Sequence, residues 1–109
     1  MEYATKLFGF DQLLPMNTGA EGVETSIKLS RKWGYLKKNV DENQAKIIVC
    51  NNNFHGRTTT VISFSTDPGS KDYFGPHTPG FIHIPHGDTI ALGDKLLFLF
   101  LFKLLRENL

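Results

Sequence analysis

The chain has 109 residues, of which 40% are hydrophobic and 21% are charged, and its formal net charge is +1. This length and composition predict a soluble globular chain with one domain at most and a modest core. The small, evenly spread charge argues against a nucleic-acid partner and against an anionic membrane.

The first ten residues, MEYATKLFGF, resemble neither a signal peptide nor a transit peptide, because they have no apolar central segment, no arginine and an early acid. The longest apolar stretch, LLFLFLF at 96–102, is shorter than the roughly 20 residues that a membrane span needs. The single cysteine, Cys50, excludes an internal disulfide and fits a reducing, intracellular compartment. Because it follows KIIV, we expect it to be a buried strand residue rather than a nucleophile.

Residues 2–8 are expected to form the end of a helix. Residues 12–16 should form a short extended segment, in which Pro15 prevents a central position in a sheet. The next predicted helix covers residues 19–38, with lysines in its last turn that suit the helix dipole. Its apolar residues approximate one helical face: Val23, Ile27, Leu29, Trp33 and Leu36.

The second half of the chain predicts strands and loops. Residues 45–50, AKIIVC, are a continuous apolar run that indicates a strand covered on both faces. Residues 51–58 are expected to be a loop, and TTVISFS, at 59–65, is either a strand or a short helix. After a Gly- and Pro-rich loop at 66–80, FIHIP predicts a further strand, and the residues from Asp88 onward favour a helix.

The order strand, helix, strand, loop, strand predicts an α/β fold with a partial, mostly parallel sheet and helices. A right-handed crossover through the helix at 19–38 would follow from that order.

The start of that helix carries a candidate anion site. Thr18 and Glu21 have the T-x-x-E spacing of a capping box, and Gly19 permits a close approach by another group. A strand entering a helix through glycine leaves free N–H groups, which commonly bind phosphate. The alternative is a capped helix start with no ligand.

A second candidate is NFHGRT, at 53–58, which follows a predicted strand where α/β proteins place ligands. Phe54 offers a flat apolar face, Gly56 allows close approach, and Arg57 offers a fork for a carboxylate. Taken with the helix start, this combination predicts a pocket for a planar, phosphorylated cofactor and an acidic substrate. Either residue can instead be structural, Phe54 in a core and Arg57 on the surface.

The histidines give weaker signals. His83 and His86 lie near Asp88, but no cysteine or further histidine completes a zinc site there, so we predict no metal. His55 and His77 have no carboxylate beside them in the sequence, so no acid–base pair is predicted from them.

Three segments, LPMNTGAEGVETSIKLSRKWGY, FHGRTTTVISFSTDP and FGPHTPGF, closely resemble class III pyridoxal-phosphate-dependent aminotransferases, and among these the members that act on ornithine. The resemblance covers roughly residues 2–92. It implies that residues 1–92 are part of the large cofactor-binding domain of a fold-type I enzyme. The Phe- and Leu-rich residues 93–109 depart from the family and are expected to be a divergent apolar tail, of the kind that a shifted reading frame or a read-through intron produces.

The resemblance also implies roles for individual residues. In the family, residues matching Gly19 and Ala20 bind the cofactor phosphate through backbone N–H groups. The resemblance implies that Thr18 belongs to the same phosphate-binding cradle. The residue matching Phe54 stacks on the pyridine ring, and His55, beside it in the cofactor site, stands where the family commonly has an aromatic residue.

For the substrate, Arg57 resembles the family arginine that holds a carboxylate. The family's Schiff-base lysine, its pyridinium-binding aspartate and its acidic switch residue have no counterpart in these 109 residues, and its substrate-binding tyrosine lies upstream of Met1. No catalytic residue is therefore assigned, and we expect the chain alone to be inactive.

The activity that the resemblance implies is transfer of the δ-amino group of ornithine to 2-oxoglutarate, in arginine catabolism and proline synthesis, by a homo-oligomer. The implied compartment is the mitochondrial matrix, with the cytoplasm as the alternative. Two other interpretations remain open. In the first, the chain is a non-catalytic truncated subunit that binds a full-length aminotransferase protomer. In the second, it is a truncated product or gene-model remnant with no independent function.

Overall fold

The computed structural model describes the backbone of residues 1–107, with side chains described through Leu97 and at Leu99. This part of the chain contains five helices and two strands. They are α1 (Glu2–Phe8), α2 (Gly19–Lys38), β1 (Ile47–Cys50), α3 (Thr59–Ser63), α4 (Pro68–Lys71), β2 (Phe81–Ile84) and α5 (Thr89–Glu107).

The two strands pair in parallel, in a register that runs from Ile47 opposite Phe81 to Cys50 opposite Ile84. Backbone hydrogen bonds extend the pairing at both ends, since the Ile47 amide donates to the Gly80 carbonyl and the Asn51 amide to the Ile84 carbonyl. A parallel pair connected through helices is the arrangement of an α/β fold. The predicted fold class is therefore confirmed.

Helix α2 begins and ends where the sequence predicts. Thr18 is its N-cap, and the complete capping box with Glu21 is formed. At the other end, Asn39 adopts a left-handed conformation with φ of 53°, and its amide donates to the Gly34 carbonyl. Lys37 and Lys38 lie in the last turn, where positive charge interacts favourably with the helix dipole.

The core lies between α2, α3 and the sheet. Its buried centre is Ile27, Val61 and Phe64, and Phe64 is only 1% exposed. The rings of Phe64 and Phe81 are 4.5 Å apart between centroids. Half-buried Val23 on α2 packs against the same cluster, so α2 contacts the core through the face that carries Val23 and Ile27.

The predicted apolar face of α2 is only partly correct. Leu29, Trp33 and Leu36 are 56%, 56% and 67% exposed. At about 100° per residue, Leu29 lies roughly 200° around the helix from Ile27, on the far side from the core. The helix therefore has a second apolar stripe, made of these three residues, that contacts no core in the described part of the chain.

Two other predictions change. Residues 12–16 form no strand, so α2 does not connect two strands, and the parallel connection runs through α3 and α4 instead. The ambiguous segment TTVISFS is helical over Thr59–Ser63, which brings Val61 into the core with Phe64 directly behind it. Pairing into a sheet would have sent alternate residues to opposite faces.

The remaining predictions are met in part. The loop at 66–80 contains the one-turn helix α4, which Asp67 caps. All four residues of β1 are half-buried rather than fully covered, including the free thiol of Cys50. Within the described residues, no helix combines the length and apolar character that crossing a bilayer requires.

Candidate functional site

The start of α2 and the loop at 51–58 meet in one open pocket of about 310 Å³. The segment predicted to bind phosphate and the segment predicted to supply an aromatic stacking surface therefore line the same pocket. The pocket is lined by Gly19, Ala20, Val23, Phe54, His55 and Gly56.

The first wall is the N-terminus of α2. The Glu21 amide donates to the Thr18 hydroxyl over 3.2 Å, and the Glu21 carboxylate accepts from the amides of Asn17 at 3.0 Å and Thr18 at 3.1 Å. The amides of Gly19 and Ala20 donate to no group in the described part of the chain. The capping box thus fixes the helix start and leaves two neighbouring donors available to a ligand.

The second wall is aromatic. Phe54 is 68% exposed, so its ring is not part of the core and is available for stacking. The exposed ring of His55 lies 5.7 Å from the ring of Phe64, at an angle of 57°. The guanidinium carbon of Arg57 lies 5.7 Å from the centroid of Phe54. Cationic and aromatic groups are therefore combined on this wall.

Thr18 and Arg57 flank the pocket and are not among the residues that line it. The Thr18 hydroxyl already accepts a hydrogen bond from the Glu21 amide, so its role in this structure is to cap the helix. Arg57 is exposed and makes no ion pair within the described residues, so its fork of donors is open to an anion.

Two contacts hold the walls together. Gly56 has a φ of +121°, and a Cβ atom placed on it would lie 2.8 Å from the Cβ of Ala20. Glycine is therefore required both by the backbone angle and by the close approach to α2. The Thr58 hydroxyl donates to the Glu24 carboxylate over 2.5 Å, which joins the end of the loop to α2.

Asn53 is a structural residue of the site that the sequence analysis missed. Its side-chain amide donates to the Cys50 carbonyl at 2.7 Å and to the Phe64 carbonyl at 2.9 Å. These bonds tie the loop to the end of β1 and to the residue after α3, and so they support Phe54. The only sequence signal is the run of three asparagines after a strand, which is typical of a turn and does not reveal these partners.

Glu24 and Thr58 are the other site residues for which the sequence predicts no role. Val23 is predicted only as part of the apolar face of the helix, and it lines the pocket as well. The Glu24–Thr58 bond spans 34 residues, so no local spacing indicates it.

A larger groove, of about 600 Å³, lies between the C-terminal half of α2 and β1. Its lining contains no carboxylate, histidine or cysteine. Arg31 donates to the Pro79 carbonyl at 2.9 Å and lies over the ring of Phe81 at 5.4 Å, so this cation has a structural role. The smaller pocket has the chemistry that the sequence predicts, so we assign the candidate site there.

The histidines outside the pocket show no second site. The Nε2 atom of His83 lies 2.9 Å from the Phe64 carbonyl, so this ring nitrogen has a structural partner. Among the described residues, no group of three or more His, Cys, Asp or Glu side chains is arranged to hold a metal.

Comparison with known proteins identifies the family of the chain. The family described as "Aminotransferase class-III" matches residues 1–97. The mitochondrial ornithine aminotransferase of Drosophila ananassae is 59% identical over 95 residues, covering 87% of this chain and 22% of that enzyme. The Plasmodium falciparum ornithine aminotransferase is 56% identical over 94 residues, covering 86% of this chain and 23% of the relative.

Solved structures give the same result for the fold. An ornithine aminotransferase from Toxoplasma gondii, crystallised with oxidised glutathione and with pyridoxal phosphate at partial occupancy in its active site, superposes with a TM-score of 0.86 at 45% identity. The match covers 87% of this chain and 22% of that one. The chain thus spans about a fifth of the length of its relatives and has the fold of the matching part of a fold-type I enzyme. It belongs to the class III aminotransferases, a family of pyridoxal-phosphate-dependent transaminases.

Proposed function

We propose that this chain forms part of the cofactor site of an ornithine aminotransferase, which transfers the δ-amino group of ornithine to 2-oxoglutarate. One observation carries the proposal: Gly19 and Ala20, whose backbone amides have no partner in the described part of the chain, line the same pocket as the exposed Phe54. That pair of features suits a phosphate joined to a flat heterocycle, as in pyridoxal phosphate.

The residues that are present fit the phosphate end of this cofactor. An anion is stabilised at a helix N-terminus by free N–H groups and by the helix dipole. The Gly19 and Ala20 amides have no partner in the described part of the chain, and nothing there lies within 4 Å of where a side chain on Gly19 would begin. We assign Thr18 to the same cradle, because its hydroxyl and backbone fix the position of the first helical turn.

The ring end of the cofactor fits the aromatic wall. Stacking of two flat rings contributes about 0.5–1.5 kcal/mol beyond the burial of apolar area. Phe54 supplies the flat face, and His55 lines the pocket next to it. We assign both to cofactor binding.

Arg57 is proposed to bind the carboxylate of the amino acid or oxo acid. Its guanidinium group lies beside Phe54, next to the pocket rather than among the residues that line it. A planar guanidinium can bind both oxygens of a carboxylate. Its present contact with the Phe54 ring keeps the group close to the pocket.

Pyridoxal phosphate supplies the electron sink for transamination when it is bound. The described residues bind and orient it, and no lysine lines the pocket. We therefore propose that a polypeptide of these 109 residues does not turn over ornithine, and that residues 1–92 act as a partial cofactor domain with 93–109 as a divergent tail. The homo-oligomer, the link to arginine and proline metabolism, and the mitochondrial matrix as compartment, with the cytoplasm as alternative, belong to this proposal.

A second candidate is a non-catalytic subunit that binds a full-length aminotransferase. The exposed stripe of Leu29, Trp33 and Leu36 favours it, because a contiguous apolar surface is typical of an interaction site. Capture of full-length aminotransferase by the immobilised chain supports this function, and loss of capture on Trp33→Glu substitution maps it to the stripe. No capture by the unsubstituted chain contradicts it.

Cofactor binding is tested by titrating the chain with pyridoxal phosphate and following the absorbance of the bound ring. We expect saturable binding, and a three- to tenfold weaker affinity for Phe54→Leu, as loss of stacking implies. Phe74→Leu is the matched control, because Phe74 is 59% exposed and does not line the pocket. Absence of saturation, or equal effects of the two substitutions, would contradict the proposal.

Turnover is a separate measurement. The chain is mixed with pyridoxal phosphate, ornithine and 2-oxoglutarate, and glutamate is measured. We expect none above the rate of free cofactor. Turnover above that rate would show that the chain itself supplies the catalytic amine.

A further inference from the structure

The shape of the pocket depends on the distance between its two walls, the start of α2 and the loop at 51–58. One side-chain hydrogen bond joins this loop to α2. We propose that Glu24 and Thr58 are positioning residues, which hold the loop at 51–58 against α2 and so set the spacing between the Gly19 and Ala20 amides and the Phe54 ring. The inference rests on the proposed function for its ligand, and the hydrogen bond itself can be tested without a ligand.

The first step is the chemistry of the bond. The Thr58 hydroxyl donates to a carboxylate oxygen of Glu24 at 2.5 Å, and Glu24 is half-buried. A hydrogen bond to a charged acceptor is roughly twice as strong as one between neutral groups. Thr58 is exposed, so the strength of this bond rests on the charge of its acceptor and not on exclusion of water.

The second step concerns the helix-capping hydrogen bond that the Thr58 side chain does not make. Thr58 is the N-cap residue of α3, a position where threonine ordinarily accepts a hydrogen bond from the helix that follows. Here its side chain makes no such bond. The hydroxyl bonds Glu24 instead, so the Thr58 side chain links the loop to α2 and does not cap α3.

The third step is the position of Glu24 on α2. It lies four residues after Ala20, so the two side chains share one side of the helix. Ala20 is the residue that Gly56 contacts. The loop thus meets α2 at two points one helical turn apart: a steric contact at Ala20, which sets the closest approach, and a hydrogen bond at Glu24, which prevents separation.

These two contacts with α2, at Ala20 and Glu24, fix the position of the loop residues next to Gly56 and Thr58. His55 directly precedes Gly56, and Arg57 lies between Gly56 and Thr58. If the bond to Glu24 is lost, the loop keeps its steric limit at Ala20 and its Asn53 bonds to the Cys50 and Phe64 carbonyls. Its end at residues 55–58 then loses the side-chain bond that opposes movement away from α2. The aromatic wall then spends less time at stacking distance, and the affinity for the cofactor falls.

The test uses three substitutions in the full chain: Thr58→Val, Thr58→Ser and Glu24→Gln. Valine has nearly the shape of threonine without the hydroxyl, whereas serine keeps the hydroxyl. Hydrogen exchange of the backbone amides of residues 54–57 is measured without cofactor, and affinity for pyridoxal phosphate is measured separately. A bond to a charged group corresponds to about a tenfold effect, so Thr58→Val should exchange about tenfold faster and bind about tenfold more weakly.

Thr58→Ser should restore both quantities to near those of the unsubstituted chain, and Glu24→Gln, with a neutral acceptor, should fall between. Equal exchange in Thr58→Val and Thr58→Ser overturns the inference, whatever the cofactor does. Failure of the unsubstituted chain to bind cofactor overturns the proposed function instead, and the exchange comparison still decides whether the bond positions the loop. If Thr58→Val does not fold, exchange in Glu24→Gln no faster than in the unsubstituted chain overturns the inference in its place.

Discussion

Gly56 lies against Ala20 so closely that a Cβ atom on residue 56 would be 2.8 Å from the Cβ of Ala20. The contact joins a loop residue to the first turn of α2, 36 positions earlier in the chain. It brings the aromatic wall next to the free amides of the helix. Cofactor binding as proposed here depends on this approach.

We expect Gly56→Ala to destabilise the chain by about 1–3 kcal/mol, because alanine must adopt a φ of +121° and because its methyl group overlaps Ala20. Chemical denaturation measures the free energy of unfolding. The control is Gly22→Ala in the interior of α2, where nothing lies within 4 Å of the new methyl group. That change should stabilise the chain by about 0.5–1 kcal/mol. Equal effects of the two substitutions would mean that the Gly56 contact is absent.

Asn53→Ala should cost about 1–3 kcal/mol of unfolding free energy, because it removes the side-chain donor of the Cys50 carbonyl and leaves the Phe64 carbonyl with only the His83 ring. Asn51→Ala is the matched control, since the Asn51 side chain makes no hydrogen bond within the described residues. Its effect should stay within about 0.5 kcal/mol. An Asn53→Ala chain as stable as the control would show that the loop is not tied at this residue.

The two apolar stripes of α2 should respond differently to truncation. Ile27 is 7% exposed, and Ile27→Ala should cost about 2–5 kcal/mol through lost burial and a cavity. Leu29 is 56% exposed, and Leu29→Ala should change stability by less than about 0.5 kcal/mol in the isolated chain. Thermal or urea unfolding distinguishes the two. A large loss for Leu29→Ala would indicate that its stripe is covered, for example by a second copy.

Asp67 predicts a pH dependence of stability. Hydrogen bonds from the Ser70 side chain and then from the Gly69 amide hold the pKa of this carboxyl below its usual 3.8. Its stabilising effect is therefore complete above about pH 3.8 and is lost as the pH falls through the lower folded-state pKa. Asp67→Asn should be less stable than the unsubstituted chain at neutral pH, and this difference should shrink at about pH 2.5.

Urea unfolding at both pH values measures the difference. Asp72→Asn removes a carboxylate from the other end of α4, where the Asp72 side chain makes no hydrogen bond in the described part of the chain. Because no side-chain hydrogen bond is lost, this substitution should change the free energy of unfolding by less than about 0.5 kcal/mol. A difference for Asp67→Asn that stays constant across this range would show that the carboxylate does not stabilise the folded chain through its charge.

The sequence predicted best what local interactions determine. The start of α2 follows from Thr18 and Glu21, which are three residues apart and bond to each other. The loop after β1 and the positions of both strands follow from runs of apolar residues and from turn residues. These signals need only neighbours in the chain, so a single sequence contains them.

Tertiary contacts explain where the sequence-based predictions failed. Leu29 is as apolar as Ile27, and only the position of the sheet decides which of them is buried. TTVISFS has β-branched residues that suit a strand, but packing of Val61 and Phe64 into one core selects a helix. The Glu24–Thr58 bond joins residues 34 positions apart, which no local spacing can reveal.

The central claim is that the Gly19 and Ala20 amides bind the phosphate of the cofactor. The most direct test records the two backbone amide resonances by NMR during titration with pyridoxal phosphate and, separately, with pyridoxal, which lacks the phosphate. We expect both amides to shift with pyridoxal phosphate and to shift little with pyridoxal. Amides of Gly19 and Ala20 that stay unchanged while pyridoxal phosphate saturates the chain would contradict the claim.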